Sequence, residues 1–256
     1  MYVYLCEDRL ESIFTAIYTI YEDRHNLSDT RLLLEWEPML FAEYITVEED
    51  SRKAAKVIRT IHQQFGDEDV HHIFMALSSP FTEKAEAVYK TIAHGLKNKV
   101  RPGHLFDHLS DQYVLQAYKL GRNAGRECQH LKGFLRFREL ENGILFASIG
   151  PKNNILAELM EHFSDRFPSE NFMIYDEGRQ LFGVHKAMES WFLTEGKGVA
   201  EQVKQTAVSE TEVYYSGLFK HFCTSIVIKE RRNTDLQRNM LPLHFRPYMT
   251  EFCKEM

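Results

Sequence analysis

FLRFRELENGILFASI, residues 134–149, is the stretch whose reading decides the fold. Two β-prone runs flank Glu141-Asn142-Gly143. An Asn-Gly pair supplies the positive φ angles that a tight turn demands, so the pattern predicts a β-hairpin. In the first run a period of two puts Phe134, Arg136 and Arg138 on one face and Leu135 and Phe137 on the other. Downstream, NNILAELMEHFSDRF (153–167) lays Ile155, Leu156, Leu159, Met160, Phe163 and Phe167 along one inward helical stripe. FMIYDEGRQLFGV (172–184) repeats the hairpin logic around Glu177-Gly178. The expected class is therefore α+β, with an antiparallel ββαββ-type core in the C-terminal part.

On either side of this core the pattern is helical. SDQYVLQAYKLGRNAGRECQHL (110–131) reads as a helix with Ser110 as N-cap and a buried seam of Val114, Ala117, Gly121, Ala124, Cys128 and Leu131. Toward the C-terminus, VYYSGLFKHFCTSIVIKERR (213–232) carries Leu218, Phe219, Phe222, Cys223 and Ile226 on one side, and Pro242 and Pro247 break the segment after it. The first hundred residues read as mostly helical. Leu10, Ile13, Phe14, Ile17 and Tyr21 form an apolar stripe behind a short edge strand, MYVYL. A brief strand ends near Val47, and helices follow from about Glu48, in DEDVHHIFMAL and after Pro80. Pro102-Gly103 marks the junction, which divides the chain into a largely helical part, 1–108, and an α+β part, 109–256.

The net charge of −6 is unevenly spread: residues 1–100 hold 11 Lys and Arg against 17 Asp and Glu, and the remainder holds 20 of each. Against that background YKLGRNAGRECQHLKGFLRFRE (118–139) is basic. Lys119, Arg122, Arg126 and His130 step by three and four along one stripe of the helix, and Lys132, Phe134, Arg136 and Arg138 follow. Like charges at these spacings repel by a few tenths of a kcal/mol per pair, a loss that a polyanion would reverse. The alternative reading is a solvated helix face. A second basic stretch carries Arg231, Arg232 and Arg238 with the amides Asn233 and Gln237, and two of its arginines equally suit a helix C-terminus.

Catalytic constellations are sparse. Glu127-x-x-His130 sets a carboxylate and an imidazole on neighbouring helix positions, His104 and His108 lie four apart beside Asp107 and Asp111, and His162 flanks an aromatic face. No phosphate-loop, dinucleotide or zinc-protease motif occurs, and no metal or cofactor is expected. Four scattered cysteines and the lack of a signal-like leader or a run of roughly 20 apolar residues lead to the expectation of a cytoplasmic protein without a membrane span.

Several blocks in order, GRECQHLKGFLRFRELENGILFASIGPKNNIL (125–156), HFSDRF (162–167) with FMIYDEGR (172–179), and LFKHFCTSIVIKERRNTDLQRNMLPLHFR (218–246), resemble a bacterial family described only as DNA-metabolism or DNA-repair proteins, a domain of unknown function. The resemblance is strongest over residues 111–252. The chain departs from it where the family's Trp is Phe219 and where a P-x-H-N motif reads Pro151-Lys152-Asn153-Asn154. It implies a place in DNA metabolism beside a companion radical-SAM protein, and some relatives are fused to a uracil-DNA glycosylase-like domain. Combined with the charge pattern, it implies an accessory protein that binds DNA through Lys119, Arg122, Arg126, Lys132, Phe134, Arg136, Lys220, Arg231, Arg232, Asn233, Gln237 and Arg238. Two alternatives stand beside it: a nucleic-acid-processing enzyme using Glu127, His130, His162 and Asp176, and a protein-docking module that touches no DNA.

Overall fold

The computed structural model describes residues 1–196, 198, 203 and 206–252. The protein is of mixed α/β class and divides into two compact units, Met1–Arg126 and Glu127–Met256.

In the first unit β1 (Tyr2–Leu5), β2 (Thr30–Leu33) and β3 (Glu43–Thr46) form a parallel sheet in the order β2-β1-β3, with Tyr2 opposite both Thr30 and Glu43. The opening strand is thus central, where an edge strand was expected, and Val3 and Tyr4 are fully buried. TRLL (30–33) is too short to announce itself, which hid the partner strand. Helix α1 (Leu10–Asp23) crosses between β1 and β2 and buries Ile13, Phe14, Ala16, Ile17 and Ile20. Leu10 and Tyr21, expected on the same stripe, lie exposed near the helix ends.

Helix α2 (Ser51–Leu77) starts three residues later than expected because the Asp50 carboxylate accepts from the amides of Arg52 and Lys53 at 2.8 and 3.3 Å. Gly66, at φ 78° and ψ 172°, interrupts it in a conformation essentially restricted to glycine, so DEDVHHIFMAL continues as a separate helical stretch. Helix α3 (Lys84–Lys97) completes the cover.

Helix α4 (Gln112–Phe134) contains the division between the units. Its six predicted seam residues, Val114, Ala117, Gly121, Ala124, Cys128 and Leu131, are all buried. The cap is Asp111 instead of Ser110: its Oδ1 accepts from the amides of Tyr113 and Val114 at 2.9 and 3.2 Å.

The second unit holds a five-stranded sheet in the order β4-β5-β6-β7-β8, built from β4 (Arg138–Glu139), β5 (Leu145–Ile149), β6 (Phe172–Asp176), β7 (Leu181–His185) and β8 (Phe192–Glu195). The β4–β5 and β6–β7 pairs are antiparallel as expected, but β4 is only two residues long and Phe134, expected on that strand, ends α4. The expected purely antiparallel core is corrected by the middle of the sheet: β5 and β6 pair in parallel, Leu145 opposite Phe172. The reason is the helix between them. Helix α5 (Leu156–Arg166) carries the chain back along the sheet, so β6 restarts at the same end as β5. Its buried face, Leu156, Leu159, Met160 and Phe163, is the predicted one, and Phe167 is half-buried.

Of the two turns, the first takes its positive φ at Gly143 alone (76°), and the second at Gln180 (53°) instead of Gly178. Beyond the sheet, α6 (Glu210–Ser225) is capped by Ser209 and buries no residue, and the short α7 (Thr234–Met240) follows. Leu218, Phe219, Phe222 and Ile226, which the spacing places on one side and whose two phenylalanines read as core, are 37–58% exposed. No helix among the described residues is long and apolar enough to cross a membrane.

Candidate functional site

Burial of its seam fixes how α4 presents its other faces. In the first unit this leaves Lys119, Arg122 and Arg126 on the surface, at the three-and-four spacing that aligns them along one stripe. None of the three forms an ion pair with a carboxylate among the described residues. Arg122 lies 5.7 Å from the Tyr118 ring centroid, which supports its stem against the helix. Three cations are thus available to an anion from outside. His94, also in this unit, links His108 (3.3 Å) and Asp111 (3.2 Å), while His104 pairs with Asp107 at 2.7 Å. The spaced pair His104 and His108 is therefore split between two partners.

In the second unit the polar residues converge on the loop after β5. Glu127 is buried, and its carboxylate accepts from the backbone amides of Lys152 (2.9 Å) and Asn153 (2.8 Å) and from the Asn153 side-chain Nδ2 (2.6 Å). Asp176, at 0% exposure, accepts from the amides of Gly178 and Arg179 and pairs with the Arg179 guanidinium at 3.0 Å. Arg179 in turn donates to the carbonyls of Pro151 (3.2 Å) and Lys152 (2.7 Å). One carboxylate holds the loop's amides, and the other holds the arginine that holds its carbonyls. This clamp sits at the carboxyl ends of the parallel pair β5 and β6, the place where open α/β sheets expose loop backbone to ligands.

Two side chains complete the surroundings. His130 packs against Phe134 and Phe245, at ring separations of 5.6 and 5.8 Å, and His244 lies tilted against Phe245 at 4.0 Å. Burial holds the His244 imidazole below its ordinary pKa; Glu127 favours the charged form, and Lys152 and His130 oppose it. Glu127, His130, Asn153 and His244 are thus neighbours. His162 belongs to another place, on α5, where burial and the charges of Lys132 and Arg166 lower its pKa. Cys128, on the buried seam, has its thiol pushed up to about 11 by burial, which leaves it a poor nucleophile. Among the described residues no group of three or more His, Cys, Asp or Glu side chains is placed to hold a metal ion.

The remaining predicted contacts are spread out. Arg136 donates to Gly133 O and Leu135 O and forms a 2.9 Å ion pair with Glu251, so its guanidinium is held internally. Phe134 packs on Phe245 at 5.5 Å and is half-buried. Lys132 and Lys220 are half-buried. Asn233 caps α7 by accepting from the Leu236 amide at 2.9 Å. Arg231, Arg232, Gln237 and Arg238 are exposed, and Arg238 has Asp235 at 3.8 Å.

Arg179, Asn153 and His244 were missed from the sequence. Arg179 follows the Glu177-Gly178 turn and drew no reading of its own, although an arginine three residues after a strand-end Asp is a workable ion-pair spacing. Asn153 stands where the resemblance has a His, and its Nδ2 supplies the donor that reaches Glu127.

The model of a family described as a domain of unknown function (DUF4130) matches residues 82–251, more than half of the chain. No curated protein matches it.

Proposed function

From the premise that the chain belongs to the family of the domain of unknown function DUF4130, we propose that it is an accessory protein of DNA metabolism that binds nucleic acid through the α4 stripe Lys119, Arg122 and Arg126. The observation that carries this reading is the absence of a carboxylate partner for any of the three among the described residues, on a chain whose first hundred residues are acidic. Repulsion along the stripe is relieved when phosphates arrive, and phosphate contacts give affinity without reading sequence. The exposed Arg231, Arg232 and Arg238 are secondary contacts in this reading. A role in repair beside a radical-SAM protein rests on the sequence resemblance.

The test is fluorescence anisotropy with single-stranded, duplex and uracil-containing oligonucleotides over a salt series. Three phosphate contacts on a duplex give a slope of log K against log salt of about −3. Flat traces at low salt for every oligonucleotide would remove the proposal.

One observation favours a second reading, a protein-docking module. Helix α6 exposes Val213, Tyr214, Tyr215, Leu218, Phe219 and Phe222 in succession, and apolar surface of that extent on a helix suits a protein partner. Co-purification with the radical-SAM protein that survives nuclease and is lost in Leu218→Asp/Phe222→Asp would support it. A complex insensitive to those changes would count against it.

A further inference from the structure

In the first unit a cavity of about 130 Å³ opens beyond the carboxyl end of β2, between that strand's exit, the first turn of α3 and the start of α4. Ligand sites of parallel sheets occupy this position. The wall holds a buried carboxylate. Glu86, 5% exposed, uses Oε2 to accept from the Leu32 amide at 2.6 Å, which satisfies a donor on the free edge of the sheet. Its Oε1 forms a 3.5 Å ion pair with Arg31 Nε, and neither atom makes a hydrogen bond among the described residues. A buried carboxylate oxygen left in that condition calls for a donor.

The surrounding charge says which donor. Glu35, Glu37 and Glu83 line the same cavity, so four carboxylates face one guanidinium. Burial pushes the Glu86 carboxyl above its ordinary pKa, while the Leu32 amide, Lys90 and Arg31 favour the ionised form, and Lys90 Nζ is held by the carbonyls of Leu27 and Thr30. The helix end at α3 adds partial positive charge, which Glu83 and Glu86 themselves answer. The excess at the mouth therefore stays negative. Leu33 and Leu34 offer an apolar wall for a methylene stem, and Tyr113 an aromatic one. The volume accommodates about six heavy atoms, on the scale of cavities that hold one benzene-sized molecule.

We propose that this cavity binds a primary alkylammonium group on a short aliphatic stem, with Glu86 Oε1 as its buried anchor and Glu35, Glu37 and Glu83 as the attracting rim. The site is independent of the cationic stripe and takes a ligand of the opposite sign. The group belongs either to a free amine or to a lysine side chain of a peptide.

The test titrates the full chain with putrescine, butylamine, N-acetyl-lysine amide and, as the neutral control, butanol, by calorimetry at low salt. Saturable one-to-one binding of an amine with silence for butanol is expected. Response to putrescine and butylamine alone assigns a free amine, and response to the lysine amide alone assigns a peptide. Glu86→Gln keeps an acceptor for Leu32 N–H and loses the charge, so affinity falls by tenfold or more. Should that variant fail to fold, Glu35→Gln/Glu83→Gln, both at exposed positions, decides the matter with a fall of about threefold to tenfold. No saturable heat from any amine, or affinity unchanged in the folded variants, overturns the proposal.

Discussion

Arg179 and Arg126 carry the same guanidinium in opposite circumstances. Arg179 is bound to a fully buried carboxylate and to two backbone carbonyls, so its charge is used inside the protein. Arg126 is exposed and, with Lys119 and Arg122, meets no carboxylate among the described residues. The difference teaches that counting cations along a sequence does not identify a binding surface. What matters is which charges the fold has already neutralised. By that measure Arg136 belongs with Arg179, because Glu251 holds it.

The largest expected effect lies on the neutralised side. Arg179→Met strips the partner from buried Asp176 and releases the carbonyls of residues 151 and 152. Breaking one side of a buried pair costs about 3–5 kcal/mol, to be read as a shift in the urea midpoint. A loss under about 1 kcal/mol would mean that the loop holds itself and that the clamp is incidental.

Glu127→Ala follows. It leaves the Lys152 and Asn153 amides and the Asn153 side chain without their acceptor. The expected destabilisation is about 2–4 kcal/mol, and Glu127→Gln, which keeps one acceptor oxygen, should lose roughly half as much. Equal stability of all three proteins would assign Glu127 no role in positioning the loop.

The buried and partly buried cysteines make a third contrast, in reactivity. Burial pushes the thiol of Cys128 to about 11, and that of Cys6, on the first unit's core, to about 12. Cys223 is only partly buried. At neutral pH iodoacetamide should therefore label Cys223 ahead of Cys128 and Cys6, whose labelling should rise only in the alkaline range as their thiolates form or as the protein unfolds. The sign is that of a raised pKa: the protonated form is favoured in the fold, and stability associated with these thiols is lost as pH climbs toward the folded values. Peptide mass spectrometry reads this directly, and early labelling of Cys128 would place it outside the seam.

Much of this arrangement was legible in the sequence where one side chain period decides one face. The α4 seam and the buried side of α5 follow from spacing alone, and the Asn142-Gly143 turn from backbone stereochemistry. The strand partners were not legible. Nothing local tells β6 to lie parallel to β5, because direction is set by the crossover through α5, and the four-residue β2 carries too little pattern to be seen. The apolar side of α6 misled for a further reason: an amphipathic stripe predicts what can be buried, while the fold determines whether anything covers it. At the site, the sequence singled out Glu127 for its spacing to His130. Its hydrogen bonds to a loop 25 and 26 residues away lay beyond any periodicity.

On the free side of the comparison the expected stability change is smallest. Arg122→Glu/Arg126→Glu should alter unfolding by no more than about 0.5 kcal/mol, since neither side chain is buried or ion-paired among the described residues. Its effect on nucleic acid should be the reverse. The most direct measurement is therefore anisotropy of duplex and single-stranded oligonucleotides with the wild type and this double variant across salt. The account predicts wild-type binding with a log–log slope of about −3 and loss of measurable binding in the variant, with its fold intact. Equal binding by both proteins, with equal slopes, would contradict it.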